Sequence, residues 1–328
     1  MREQPVVVER GRMRRTRHSQ AGPVGHRIGA MNGLAPWLGV ARAPFLLLPV
    51  TLVAAGAAAA AYEGAFGWAP TILALVGLVL LHAAVNALNE ASDMTTGIDL
   101  RTTRTPFSGG SGTLPAGRIS VRATRVFAYT SALIGGLIGG WFALRLGPMF
   151  ALLMAVGAAG VLFYSDVFAR SGLGEIFAGA GLGALPVWGA AWVQGREPGP
   201  AALWAGVPAF LMTFNLLLLN EFPDEEADRA GGRRNLVLLL GRKGAALVYA
   251  AAALLTPAAI VAAVAWGALP PQALAAVVPS LLLAAPLRWA FGDTREPVPI
   301  PALGMNVAWN LATNSVLAAA LVVALVIR

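Results

Sequence analysis

The chain contains no cysteine. That excludes disulfides, a thiolate nucleophile and cysteine-bound metal. It says nothing about redox compartment. There is one lysine, Lys243, and there are three histidines, His18, His26 and His82. So few histidines exclude a histidine-rich metal site. Charge is scarce: 12% of the 328 residues are charged, against roughly 25% in an average soluble chain. Apolar residues fill the gap, at 57%, with a mean hydropathy of +0.67. This is the composition of an integral membrane protein. The net charge of +8 is carried almost wholly by Arg and reads as a positive-inside bias, not as a nucleic-acid footprint.

Residues 1–33 are polar and Arg-rich and lack the apolar core of a signal peptide. They are expected to form a disordered cytoplasmic tail with affinity for anionic lipid. Met13 and Met31 offer alternative starts. Residues 34–328 then form one all-α domain. Nine apolar stretches are each near the ~20 residues a spanning helix requires: 36–60, 69–92, 122–144, 147–167, 174–194, 201–222, 243–266, 271–291 and 302–327. Gly147-Pro148, Gly195–Pro200 and Pro270-Pro271 mark breaks between them. With the N-terminus in the cytoplasm, all of the 24 Lys and Arg except Arg145, Arg196 and Arg328 fall on the cytoplasmic side. That bias predicts an odd number of crossings in the inner cell membrane, with the polar loops cytoplasmic.

One pattern occurs twice, each time as an apolar stretch ends. Asn89-Glu90-Ala91-Ser92-Asp93 leads to Asp99, and Asn220-Glu221-Phe222-Pro223-Asp224 leads to Asp228. Acidic groups at a bilayer edge are costly and mark function. Their oxygens suit Mg²⁺, which takes one or two carboxylates together with substrate phosphate. Asn89 and Asp93 share one face of a helix at four-residue spacing, as do Asp224 and Asp228. Pro223 argues against an undisturbed helix through the second copy. Candidate metal ligands are therefore Asn89, Asp93, Asp224 and Asp228, with Asp99 and Asn220 as additions. The blander reading, solvated carboxylates at helix ends, suits one copy better than two. Arg104, Arg234 and Lys243 follow the acidic motifs and are candidate diphosphate ligands. The Gly-rich run Thr105–Pro115 lacks the Gly-Lys-Ser/Thr of a phosphate-binding loop. It reads as a lid over a diphosphate or as a linker. Tyr164, Asp166 and Arg170 fall on the same face, as acceptor-side or cation-stabilising candidates or as ordinary interface residues. His82 reads as hydrogen-bonded packing, and Asn306, Asn310 and Asn314 as interhelical hydrogen-bonding groups.

Together these residues resemble the UbiA-type intramembrane prenyltransferases over about residues 34–327. The first motif, Asn89-Glu90-x-x-Asp93 running to Gly97-Ile98-Asp99, and Gly172-Leu173-Gly174-Glu175 are most similar to the branch that acts on 1,4-dihydroxy-2-naphthoate in menaquinone and vitamin K synthesis. The second motif, Asp224-x-x-x-Asp228 running to Leu240-Gly241, matches the family, as does Trp37 followed by Arg42, which adds Arg42 to the diphosphate candidates. The resemblance implies nine helices around a lipid-accessible central cavity. It implies two Mg²⁺ ions, with Mn²⁺ as a substitute, held by the Asn89/Asp93 and Asp224/Asp228 pairs. It implies a polyprenyl diphosphate donor and an aromatic acceptor. The alternatives are a transferase for another phenolic acceptor, a membrane terpene cyclase and, in another class, a small-molecule transporter. A transporter would place its charges at the bilayer midplane, whereas these lie at helix ends.

Overall fold

The computed structural model describes residues 33–327. The expected basic tail and Arg328 lie outside the described residues, apart from Gly33. Two short turns, α1 (Ala35–Val40) and a 3₁₀ segment (Ala43–Leu46), lead into α2 (Leu47–Tyr62). Then follow α3 (Trp68–Thr96), α4 (Val121–Leu146) and α5 (Pro148–Phe163). Helix α5 passes through a π-helical turn (Tyr164–Phe168) into the three-residue α6 (Ala169–Ser171). Next come α7 (Gly174–Gly179), a second π-helical turn (Ala180–Ala184) and α8 (Leu185–Trp192). Helices α9 (Pro200–Ala230) and α10 (Leu236–Ala265) are the longest pair. A 3₁₀ run (Pro271–Leu283) continues as α11 (Ala284–Phe291), and α12 (Ile300–Val326) closes the bundle. No strand occurs among the described residues.

Eight of these segments are long and apolar enough to cross a membrane. The remaining expected stretch, 174–194, is helical but assembled from α7, the π turn and α8, none of which is long enough alone. A π turn inserts an extra residue into the ladder and is often found at functional sites. The helices pack through small residues, as membrane helices do when backbone approach replaces a hydrophobic drive. A Cβ on Gly56 of α2 would stand 2.2 Å from the Val187 carbonyl of α8. One on Gly135 of α4 would stand 2.9 Å from the Gly77 carbonyl of α3. Outward faces carry exposed Leu133, Leu137 and Leu144, which a bilayer would solvate.

Pro223 does not interrupt α9, contrary to the reading of the second motif. A proline removes one ladder hydrogen bond, and packed neighbours in a membrane bundle absorb that loss. Phe222, beside it, is buried against Trp289, and its carbonyl accepts from Arg242 at 3.2 Å. Helix α10 begins seven residues before the expected 243 and bends at Gly241. There φ 69° and ψ 165° lie in a region open essentially to glycine alone. Asn306 and Asn310 of α12 behave as read: Tyr249 donates to Asn306, whose amide donates to the Asn215 carbonyl, and Asn310 donates to Thr213. Asn314 instead bonds within its own helix, to Asn310.

Candidate active site

Helices α3 and α9 bring the two acidic motifs to opposite walls of one cavity of about 150 Å³. Asn89, Asp93, Asp99, Asn220, Glu221, Asp224 and Asp228 all line it, with Arg42, Tyr164 and Arg233. Helical spacing puts Asn89 directly below Asp93, and its amide donates to the Asp93 carboxylate at 2.9 Å. The guanidinium of Arg233 lies between the motifs. It donates to Asp93 at 2.5 Å and to Asn89 at 2.7 Å, and its second terminal nitrogen stands 3.7 Å from Asp228. Burial works against that charge, but Asp93 and Asp228 outweigh it and raise the Arg233 pKa. Asp228 is further held by the Asn235 amide at 2.9 Å. Asn235 also caps α10 by accepting from the Leu238 N–H.

The run after the first motif folds over the cavity. Phe107, Ser108, Gly109 and Gly110 line it from above. Thr102 donates to Asp224, as does the Gly109 N–H at 3.2 Å. Glu90 accepts from both the N–H and the hydroxyl of Ser111, at 2.6 and 2.7 Å. Gly109, Gly110 and Gly112 all have positive φ, so the glycines are needed for the backbone path. A Cβ on Gly110 would also collide with Asp99, 2.7 Å from its nearer oxygen. Asp99 is buried, and burial, followed by the charges of Asp93 and Glu90, pushes its pKa up to about 7. Arg42 is the one non-glycine residue with positive φ among those described. Such strain concentrates at functional positions. Its guanidinium donates to the Phe107 carbonyl at 3.1 Å, tying the glycine run to the turn before α2.

Several candidates sit elsewhere. Arg104 lies under the glycine run and donates to the Asp99 carbonyl at 3.2 Å, outside the cavity wall. Arg234 is exposed; its backbone N–H donates to Ala169. The neighbour Arg233 lines the cavity, where Arg234 does not, because the chain past the turn at Gly231–Gly232 turns only one of the pair inward. Lys243 reaches the carbonyls of Ala290 and Gly292, at the start of the 292–299 connection. Tyr164 lines the cavity from its π turn, but Asp166 accepts from Ser92 outside the wall, and Arg170 is not part of it. Glu175, noted only as part of a motif, is buried and accepts the Leu236 N–H at 2.6 Å, capping α10. Thr102 and Ser111 also bond the acidic motifs, and nothing in their local sequence marks them, since their partners are remote. His82 is half of what was read: its ring Nδ1 lies 3.0 Å from the Leu78 carbonyl, while Nε2 has no partner.

The donor set suits a hard cation, being carboxylate and amide oxygen throughout. The buried Asp99 Oδ2 has no hydrogen-bond partner, and Asp228 Oδ1 has only the Arg233 guanidinium, 3.7 Å away and beyond hydrogen-bond reach. Among the described residues, no three acidic or histidine side chains stand close enough to enclose an ion by themselves.

Apolar helices around a cavity of paired acidic motifs and arginine define a multi-pass membrane enzyme. The UbiA prenyltransferase family pattern matches residues 47–312, and the chain belongs to that family of prenyltransferases. It is 29% identical over 212 residues to a 1,4-dihydroxy-2-naphthoate octaprenyltransferase of Mycobacterium tuberculosis (strain ATCC 25618 / H37Rv), covering 63% of this chain and 70% of the relative. The fold matches a UbiA homolog from Aeropyrum pernix K1 with a TM-score of 0.65 and 20% identity, over 86% of this chain and 98% of that one. A UbiA homolog from Archaeoglobus fulgidus bound to GPP and Mg²⁺ matches with a TM-score of 0.61 and 15% identity, over 87% and 99%.

Proposed function

We propose that the chain transfers a polyprenyl group from its diphosphate to 1,4-dihydroxy-2-naphthoate, as a step of menaquinone synthesis. The observation that carries the transfer chemistry is the convergence of both acidic motifs and Arg233 on one lidded cavity. The naphthoate as acceptor is supported by the mycobacterial relative and by the Gly97-x-Asp99 form of the first motif. Asn89 with Asp93 and Asp224 with Asp228 would hold Mg²⁺. The bound metal supplies neutralisation of the diphosphate and so stabilises its departure.

The chain's own groups do the rest. Arg233 is poised to exchange Asp93 for phosphate oxygen when a diphosphate enters, and Arg42 lines the same cavity. Both stabilise charge that grows on the leaving oxygen. The C1–O bond breaks with its electrons passing to diphosphate, and the allylic cation is attacked by an electron-rich ring carbon. The new bond forms at the ring carbon that bears the carboxylate, and the carboxylate leaves as carbon dioxide with the C–C bonding pair returned to the ring, which gives a prenylated hydroquinone. The lid keeps water from the cation. We read the broken 174–194 segment as a ninth crossing, with the N-terminus and the lid in the cytoplasm.

Two experiments test this reading. Membranes carrying the protein, given one labelled polyprenyl diphosphate and mixed phenolic acceptors, should yield a demethylmenaquinol, read by mass spectrometry as the quinol or as the quinone that air oxidation makes from it. A product on another phenol, or a cyclised hydrocarbon, would replace the acceptor assignment. Single cysteines at the exposed Ala116 and Gly195, clean because the chain has none, should label from opposite sides. Labelling of both from one side would overturn the orientation.

A further inference from the structure

Charge is least balanced around the start of α4. Residues 100–165 contain no Asp or Glu, yet Arg101, Arg104, Arg118, Arg122 and Arg125 fall within their first 26 positions. Elsewhere the exposed arginines find acids: Arg229 and Arg242 pair with Glu225, and Arg295 with Asp293. Among the described residues, Arg118, Arg122 and Arg125 enter no ion pair, and none of the three lines the acidic cavity. All three are exposed. Helical spacing decides what lies below them. Arg122, Arg125, Tyr129, Leu133, Gly136 and Gly140 recur at intervals of three and four residues and so form one stripe of α4. All six are exposed, while other faces of the helix pack on α3 and α5. A Cβ on Gly136 or Gly140 would meet nothing within 4 Å, so the apolar part of the stripe has a shallow bed where side chains are missing.

We propose that this stripe seats one anionic phospholipid, with its phosphate between Arg122 and Arg125 and an acyl chain along Gly136 and Gly140. Arginine is the side chain best suited to phosphate oxygen, and no acid here competes for it. Tyr129 lies about 10 Å below Arg122 along the helix, where an aromatic ring meets the ester level of a bilayer. From Tyr129 to Gly140 is about 17 Å, close to the ~15 Å of hydrocarbon in one leaflet. A free anion or a nucleic acid would make no use of the apolar bed. A positive-inside bias requires only charges in a loop; it does not require them in register with an aromatic ring and two bare glycines. Arg125 also donates to Thr95 Oγ1 at 3.2 Å. The bound headgroup therefore lies beside the end of α3, outside the acidic cavity. The proposal needs the membrane reading of the chain and not the prenyl-transfer reading.

The test is native mass spectrometry of the full chain in detergent, titrated with phosphatidylglycerol and, separately, with phosphatidylcholine carrying the same acyl chains. The wild type should bind its first phosphatidylglycerol about tenfold more tightly than phosphatidylcholine. Arg122→Ala should weaken that first phosphatidylglycerol about fivefold. The Arg122 side chain has no partner among the described residues, so its loss leaves the fold intact. Arg122→Ala with Arg125→Ala should erase the preference between the two lipids. Arg288→Ala removes the same charge from an exposed arginine of α11 that is also outside any ion pair, and it should change binding by less than about twofold. Gly140→Leu fills the bed and should weaken both lipids alike. Equal losses in Arg122→Ala and Arg288→Ala would reduce the arginines to a diffuse positive bias and overturn the site. Equal wild-type affinity for the two lipids would overturn it as well. Displacement of the lipid by millimolar inorganic phosphate, or no change in Gly140→Leu, would leave an anion site without a chain and overturn the lipid assignment.

Discussion

The two acidic motifs begin alike and end up held in different ways. On α3 the helix ends at Thr96 and the chain leaves into the lid, so Asp93 sits in the last turn. On α9 the helix continues through Pro223, so Asp224 and Asp228 are both helical. Each motif is then held by the segment that follows the other. Thr102 and Gly109, downstream of the first motif, bond Asp224 of the second. Arg233, downstream of the second motif, bonds Asn89 and Asp93 of the first. The glutamates differ too: Glu90 binds the lid through Ser111, whereas Glu221 faces the cavity with its Oε2 unpartnered. A repeated sequence has become one interlocked site, in which each copy is held by its own following segment and also by that of the other.

That comparison breaks first, and most severely, at the aspartates. Asp93→Asn and Asp224→Asn should each cut the prenyl-transfer rate by about a thousandfold. The double variant should be little slower, because groups that act as a unit are non-additive. Excess chelator should have the same effect on the wild type. Near-normal rates in either single variant at limiting Mg²⁺ would reduce the motifs to helix-end carboxylates.

Next comes the arginine pair. Arg233→Ala should slow transfer about a hundredfold, as loss of a preorganised charge at a leaving group does. Arg234→Ala, on an exposed side chain, should stay within about twofold on the same footing. Equal losses in steady-state assays would mean that the turn at Gly231–Gly232 does not distinguish them.

The glutamates should separate by a smaller margin. Glu90→Gln weakens a charge-assisted anchor for the lid and should cost about tenfold in rate, close to the value of one such bond. Glu221→Gln should be milder, because the carboxyl holds no lid contact and an amide can keep a hydrogen bond to its neighbour Glu175. The reverse order in side-by-side kinetics would place the critical contact at the second copy.

The smallest effect is on stability with pH. Asp99 lies in the connection after α3, with its pKa raised from the ordinary 3.8 to about 7. A raised carboxyl favours the folded state fully below its unfolded value. That contribution is lost as pH rises through the folded value. In chelator, melting temperature should therefore fall between about pH 4 and pH 7, and Asp99→Asn should flatten that slope. An unchanged slope would remove Asp99 from the account.

Much was determined by the sequence alone. A chain this poor in charge must satisfy its backbone internally in lipid, which leaves helices or a closed barrel, and continuous apolar runs of about 20 residues select helices. The four principal acidic-site residues were legible because helix periodicity is local: residues four apart share a face whatever surrounds them. What surrounds the site was not local. Nothing in Gly231-Gly232-Arg233-Arg234 says which arginine turns inward; the path of the turn against α3 decides it. Nothing around Thr102 or Ser111 points to Asp224 or Glu90, whose contacts exist only once the lid has folded back. Pro223 reads as a helix breaker by propensity, yet packing against α10 and α11 carries the helix through it. Local geometry is a property of a few consecutive residues and can be read from them. The partner of a buried charge is set by which distant segments the fold brings together, and only the tertiary structure decided that.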